Sequence, residues 1–112
     1  DVESACTEGA ELSSIGIVAG ATGPGEALRL REILPKAPFL IPGYGAQGAS
    51  ASEACTGLFH LNGKLTGGIV NASRAISHNQ QALAAQDEEQ FTQNVAEAVR
   101  KTKSDLASVP AV

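Results

Sequence analysis

The stretch FLIPGYGAQG (residues 39–48) joins an apolar run to a glycine-rich turn. The run does not alternate apolar and polar residues, and Pro42 follows it, which is typical of a strand buried on both faces of a parallel sheet. The three glycines of the turn spell G-x-G-x-x-G; they let the backbone turn tightly and bring its N–H groups close to an anion. The stretch therefore predicts a buried strand followed by a loop suited to a phosphate group.

Two further apolar runs, at residues 15–19 and 67–70, have the same continuous pattern. Their centres lie roughly 23 residues before and 29 residues after the centre of residues 39–41, and a βαβ unit needs about 30 residues. Each gap therefore has room for one helix. We expect residues 62–64 to form a loop that leads into the third strand.

Helix signals are present in both gaps. Pro24 fits the first position of a helix that Pro35 would end. Ser50 and Glu53 have the spacing of a capping box for a second, short helix. The residues expected to share one face of the first helix are Ala27, Leu30, Arg31 and Leu34.

The clearest helix follows the third strand. Asp87 with Gln90 three residues later predicts its beginning. Its expected apolar face consists of Phe91, Val95, Val99, Thr102 and Leu106. Before it, residues 79–86 predict a loop or a short helix, and residues 1–14 are interpreted as the end of an earlier helix.

These elements predict an α/β fold with the order helix–β–α–β–α–β–α. Three parallel strands do not close into a domain, whereas a (β/α)₈ barrel needs about 250 residues. Because the 112 residues include no Met, we expect the chain to be a piece of a longer product. Residues 1–112 would then be the C-terminal part, about three βα units, of one TIM barrel domain whose N-terminal part is absent. A small doubly wound sheet is the alternative geometry.

Composition excludes several classes of function. Eight Lys and Arg against twelve Asp and Glu give a formal net charge of −4, so a nucleic-acid partner is not expected. No apolar run approaches the roughly 18 residues of a membrane helix. Two cysteines, Cys6 and Cys55, are too few for a disulfide framework and favour a reducing compartment, here the cytoplasm. No spacing of Cys or His is typical of a zinc site.

The glycine-rich turn is better suited to phosphate than to a dinucleotide. A dinucleotide site needs an acidic residue about 20 positions after the glycines, and residues 54–86 contain no Asp or Glu. They do contain Lys64 and Arg74, which leave a positive bias. The alternative is a tight strand-to-helix turn without a ligand.

A second turn, NASR at residues 71–74, follows the third strand. An Arg at the carboxyl end of a parallel strand points to the mouth of the sheet, and its fork holds two phosphate oxygens at once. In barrels, phosphate sites recur at the loops after the seventh and eighth strands. The alternative for Arg74 is solvation at the rim or pairing with a helix acid. The sequence leaves open whether Thr22 or His78 contributes to the site.

Three motifs in this order, VAGAT (residues 18–22), FLIPGYGAQG (39–48) and NASRAI (71–76), resemble orotidine 5′-phosphate decarboxylase, with the spacing of its longer bacterial branch. The resemblance runs from about residue 15 to the last helix and corresponds to the C-terminal part of that family's barrel. It implies a homodimeric, cofactor-free and metal-free TIM barrel enzyme. The family converts orotidine 5′-phosphate to UMP and carbon dioxide in de novo pyrimidine biosynthesis.

The resemblance also implies roles for individual residues. Gln47 and Arg74 match the residues that bind the substrate phosphate. The positions expected to line the substrate beside them are Pro42, Tyr44, Gly45 and Ser73. Gly45 and Ser73 would contribute only through their backbone or by supporting the residues that contact the substrate. Tyr44 departs from the smaller aliphatic residue that is common at its position.

The family's catalytic Asp-x-Lys-x-x-Asp array has no counterpart here. The nearest cluster, residues 101–105, has the wrong spacing and lies on an exposed helix. We therefore expect no catalytic residue in this chain and no activity from it alone, with the N-terminal part of the same barrel as its partner. Two alternatives stay open: another phosphate-binding barrel, such as a sugar-phosphate decarboxylase or epimerase, and a non-catalytic, self-associating half-barrel.

Overall fold

A computed structural model describes residues 12–45 and 47–110 of the chain. The helix expected within residues 1–14 lies almost entirely outside these described residues. The helices and strands, in chain order, are β1 (Ile17–Val18), α1 (Pro24–Ile33), β2 (Phe39–Ile41), α2 (Ala51–Ala54), β3 (Phe59–Leu61), β4 (Lys64–Thr66), β5 (Gly68–Val70), α3 (Ser73–Ile76), α4 (Gln80–Leu83) and α5 (Glu88–Ala107).

The three predicted apolar runs form one parallel sheet with the order β1-β2-β5. Ile17 pairs with Phe39 and Phe39 pairs with Gly68, so the strands start at the same level and their carboxyl ends meet at one edge. The prediction of a mixed α/β fold with parallel strands is confirmed. This arrangement gathers the loops that follow the three strands at that edge.

The second gap differs from the prediction. Residues 62–64 do not lead into the third strand of the sheet, because β3 and β4 form an antiparallel hairpin between α2 and β5. Asn62 and Gly63 both have positive φ, 53° and 77°, which is the conformation of a two-residue turn that matches the twist of a hairpin. The Asn-Gly pair was the sequence signal for this hairpin.

The predicted helix starts are confirmed at the level of individual hydrogen bonds. The Ser50 side chain accepts a bond from the Glu53 backbone N–H, and the Glu53 carboxylate accepts one from the Ser50 N–H, both at 3.1 Å. The Asp87 carboxylate accepts from the Gln90 N–H at 2.7 Å. Helix α1 begins at Pro24 as predicted. Because these signals act between near neighbours in the chain, they are independent of the rest of the fold.

The core lies on one face of the sheet. Phe39 and Ile41, each 2% exposed, point into it, and Leu106 of α5 packs against it. Most other buried core residues are alanines, which allows helices and strands to approach closely. Of the predicted apolar face of α5, Phe91 is 40% exposed.

The opposite face of the sheet is open in the described chain. It presents one residue from each strand in register, Val18, Leu40 and Ile69, with exposed fractions of 66%, 47% and 71%. We call these three side chains the apolar row. The sequence predicted burial on both faces, and the described residues bury one.

Arg31 of α1 holds together the starts of the strands. Its guanidinium donates to the carbonyls of Gly57, Ala37 and Gly67 at 2.7, 2.8 and 2.9 Å. It also lies over the ring of Phe39, 3.9 Å from the centroid. Arg31 therefore joins the segments before β2 and β5 to the turn after α2 through hydrogen bonds to three backbone carbonyls.

None of the helices in the described part of the chain combines the length and the apolar character that crossing a membrane requires.

Candidate phosphate-binding site

The loop after β2 is closed by its own backbone. Gly43, Gly45 and Gly48 have φ of +98°, +74° and +94°, values that residues with a Cβ atom rarely adopt. The Gly45 N–H donates to Ala49 O at 3.0 Å, and the Gly48 N–H donates to Gly45 O at 2.9 Å. The glycines of the motif are therefore required by backbone conformation, as the sequence predicted.

The side chain of Gln47 folds back over the start of this loop. Its amide oxygen lies 3.0 Å from the position that a Cβ atom on Gly43 would occupy, and the Thr22 methyl lies 3.5 Å from the same position. The structure thus brings Gln47, from the β2 loop, close to Thr22, from the β1 loop. The sequence had left the contribution of Thr22 open, and this proximity places it beside a predicted phosphate ligand.

The turn after β5 lies against the glycine-rich loop. A Cβ atom on Gly45 would be 3.6 Å from the Cβ of Ala75 in α3. The Asn71 N–H donates to Ile41 O at 2.9 Å, and the Ala21 N–H donates to Pro42 O at 2.7 Å. The loops after β1, β2 and β5 are therefore held together at the carboxyl edge of the sheet.

Arg74 is the second residue of α3, and its side chain is exposed. Within residues 12–45 and 47–110, it has no hydrogen-bond or ion-pair partner. Ser73 precedes it as the first residue of the helix and is also exposed. The two predicted phosphate ligands, Gln47 and Arg74, thus come from adjoining loops, and the guanidinium is not engaged by the described chain.

Tyr44 turns inward from the same loop and is 9% exposed. Its hydroxyl donates a hydrogen bond to the carboxylate of Asp105 in α5. Burial, followed by the bond to Asp105 and its negative charge, raises the pKa of Tyr44 to about 12. Burial, with a smaller effect of Asp105, also raises the pKa of the buried Cys55 thiol. The predicted contact of Tyr44 with the substrate stays a prediction, and its observed partner is α5.

Sequence reasoning did not single out Asp105. The sequence places this residue in the charged cluster at 101–105 on an exposed helix. The available signal was indirect: a Tyr flanked by glycines in a turn presents a hydroxyl that needs a partner once the ring is buried. Nothing in the sequence indicates which residue, 61 positions later, would supply it.

A polar cleft lies beside the Gly45–Ala75 contact and has a volume of about 850 Å³. Tyr44 and Asp105 line it, whereas neither Gln47 nor Arg74 does. His78 lies outside it too, exposed, with its Nδ1 2.8 Å from Ser77 Oγ. The cleft therefore adjoins the two loops through Gly45 and Ala75 and does not include the side chains of the predicted phosphate ligands.

In the part of the chain that the structure describes, no group of three or more His, Cys, Asp and Glu side chains has the proximity needed to hold a metal ion.

Comparison with known proteins identifies several relatives that share one name. The chain is 41% identical over 87 residues to a Deinococcus radiodurans protein, and this match covers 70% of the chain and 31% of the relative. It is 45% identical over 89 residues to a Clostridium perfringens protein, covering 80% of the chain and 28% of the relative. A Dehalococcoides mccartyi protein is 41% identical over 93 residues, with 83% and 32% covered. No protein-family model matches the chain.

All three relatives are named orotidine 5′-phosphate decarboxylase. The chain spans less than a third of their length. Across most of its own length, the chain is therefore homologous to a segment of the orotidine 5′-phosphate decarboxylases.

Proposed function

We propose that this chain is the C-terminal part of a (β/α)₈ barrel and supplies the phosphate-binding loops of an orotidine 5′-phosphate decarboxylase. The name of its relatives supports the reaction, which forms UMP and carbon dioxide in pyrimidine biosynthesis. The observation that carries the proposal is the contact between the β2 loop and α3, which brings the loops of Gln47 and Arg74 together at the carboxyl edge of the sheet. The family further implies a cytoplasmic homodimer without a cofactor.

The apolar row supports the position in a barrel. A barrel strand has helices on its outer face and packed side chains on its inner face. In the described chain, the helices cover one face, while Val18, Leu40 and Ile69 stay exposed on the other. The missing strands of a barrel would bury this row, and the continuous apolar pattern of the strands is the pattern that two-sided burial requires.

The chain's own residues would bind and orient the substrate. The Arg74 guanidinium holds two phosphate oxygens, and the Gln47 amide donates to a third. Binding energy at this remote group stabilises the transition state at the reacting carbon when the rest of the substrate is held in place. The proton donor would come from the Asp/Lys array of the N-terminal part. This division predicts binding groups here and no chemistry from this chain alone.

The test is formation of UMP from orotidine 5′-phosphate by the chain alone and by the chain combined with the part of the Deinococcus radiodurans relative that lies outside its match. We expect no activity from the chain alone and activity from the combination. The Arg74→Ala form of the same combination is the matched control and is expected to bind UMP weakly. Activity of the 112 residues by themselves would refute the division of roles.

A competition experiment tests the substrate class. UMP is expected to displace a labelled nucleotide from the active combination, whereas a pentose phosphate is expected to be a poor competitor. The opposite order of affinities would favour a sugar-phosphate barrel enzyme. A discrete dimer of the chain that binds neither ligand would favour a non-catalytic half-barrel.

A further inference from the structure

The glycine-rich loop has a single side-chain tie to another element of the described chain. Between residues 43 and 49, the backbone bonds of Gly45 and Gly48 stay within the loop. In residues 12–45 and 47–110, the hydrogen bond that leaves this segment is the one from the Tyr44 hydroxyl to Asp105. The loop that carries Gln47 is thus fastened to α5 at one point.

Helix α5 is a suitable frame for such a tie. It has 20 residues, a side-chain cap at Asp87 and contacts with the core through Leu106, the neighbour of Asp105. The loop, in contrast, has three glycines with positive φ, which leave its unfolded forms many conformations. A hydrogen bond from the loop to this helix limits the positions that the loop can take.

The chemistry of the pair suits a fixed connection. The Tyr44 ring is buried, and its hydroxyl reaches the Asp105 carboxylate at the wall of the cleft. A carboxylate acceptor makes the bond stronger than one between neutral groups. The Tyr44 hydroxyl is protonated, and therefore a donor, across the neutral range, and its raised pKa extends this to more alkaline pH.

We propose that Asp105 is a positioning residue for the substrate phosphate, because it holds, through Tyr44, the turn that presents Gln47. The inference rests on the proposed function, since it assigns the purpose of the contact to the phosphate ligand. Asp105 itself lines the cleft, to which neither Gln47 nor Arg74 contributes. Its effect is transmitted through one hydrogen bond and a short turn.

The experiment measures the dissociation constants of UMP and of uridine, which lacks the phosphate, for the complete protein that carries this chain. Tyr44→Phe and Asp105→Ala are expected to weaken UMP binding about fivefold, the scale of one lost hydrogen bond, and to leave uridine binding unchanged. Asp105→Asn keeps an acceptor oxygen and is expected to rescue most of the affinity. Glu97→Gln, on the same helix and the same cleft, is the matched control and should bind UMP normally.

Three outcomes decide the matter. Unchanged UMP affinity in Tyr44→Phe and Asp105→Ala, with native circular dichroism, overturns the inference. An equal loss of UMP and uridine affinity also overturns it, because that result reports a general structural role. Failure of the unaltered protein to bind UMP contradicts the proposed function instead.

Discussion

The amide oxygen of Gln47 lies over Gly43, 3.0 Å from the position that a Cβ atom at residue 43 would occupy. Gly43 also has φ of +98°, which strains any residue with a side chain. The methyl group of Thr22 borders the same position at 3.5 Å. The absence of a side chain at Gly43 therefore gives Gln47 the space in which it folds back toward the β1 loop.

Gly43→Ala should displace the Gln47 side chain and weaken UMP binding by the complete protein. The left-handed backbone alone is expected to lower the free energy of unfolding by about 1–2 kcal/mol. Gly48→Ala is a matched control, because φ is +94° there and, chain neighbours aside, no atom of residues 12–45 and 47–110 lies within 4 Å of the added Cβ. Calorimetric titration with UMP compares the two variants, and equal affinities would contradict the placement of Gln47.

Arg74→Ala should weaken binding of a phosphate ligand by about 1.5–3 kcal/mol, the scale of a charge-assisted hydrogen bond. Arg74→Lys is expected to recover part of the loss, because it keeps the charge without the two-pronged fork. Equilibrium binding of UMP measures both effects. Arg100→Ala, an exposed Arg on α5, should leave the affinity unchanged. Normal UMP affinity in Arg74→Ala would remove this residue from the site.

Arg31→Ala should lower the free energy of unfolding of the chain by about 2–3 kcal/mol, because it removes the guanidinium hydrogen bonds to partly buried backbone carbonyls. Arg31→Lys is expected to be intermediate, since one ammonium group does not reach three carbonyls in different elements. Arg29→Ala is the control on the same helix. Its ion pair with Glu32 is exposed, so a change within about 0.5 kcal/mol is expected. Urea denaturation followed by circular dichroism measures all three variants. Similar losses of stability in Arg29→Ala and Arg31→Ala would contradict a stabilising role for the Arg31 hydrogen bonds.

Tyr44 gives the chain a defined dependence on alkaline pH. Its pKa of about 12 in the folded chain lies above the ordinary value of 10.0, so the folded state retains a proton that the unfolded state loses. The stabilisation is complete below pH 10 and is lost as the pH rises from 10 through 12. Because the chain has one Tyr and no Trp, ultraviolet titration of tyrosinate reports this residue alone.

In that titration, Asp105→Asn is expected to lower the midpoint, because it removes the negative charge while keeping an acceptor. Tyr44→Phe should remove the tyrosinate absorbance. It should also abolish the loss of folding stability between pH 10 and 12 that ionisation of Tyr44 causes. A midpoint near 10 in the unaltered, folded chain would contradict the buried bond to Asp105.

The sequence was most informative where the determining contacts are local. The Ser50–Glu53 cap depends on neighbours within one turn, and it was predictable for that reason. The hairpin at Asn62 carried an equally local signal, the Asn-Gly pair. Because the apolar run at 67–70 follows closely, residues 62–64 were interpreted as the loop before that strand and not as a hairpin turn. The Tyr44–Asp105 bond was not predictable, because it joins residues whose proximity depends on how α5 packs against the sheet. The loops of Gln47 and Arg74 were predictable together because parallel strands bring their carboxyl ends to one edge.

Leu40 is the central residue of the apolar row and offers the sharpest test of the barrel. In the chain alone it is 47% exposed, so Leu40→Gln should change the free energy of unfolding little and should improve solubility, because it divides an exposed apolar surface. In the assembled barrel the same amide would be buried without a partner, at a cost of about 1–3 kcal/mol together with the lost apolar contact. Binding of the chain to the remaining part of a relative, measured by analytical ultracentrifugation, should therefore weaken sharply.

Leu83→Gln is the matched control for Leu40→Gln, because Leu83 is 67% exposed on α4, away from the sheet. It should raise solubility in the same way and leave assembly intact. The two variants separate a general effect of surface polarity from burial of the apolar row by other strands. If Leu40→Gln assembles as well as Leu83→Gln, the open face of the sheet is not the inner face of a barrel, and the proposed division of the enzyme fails with it.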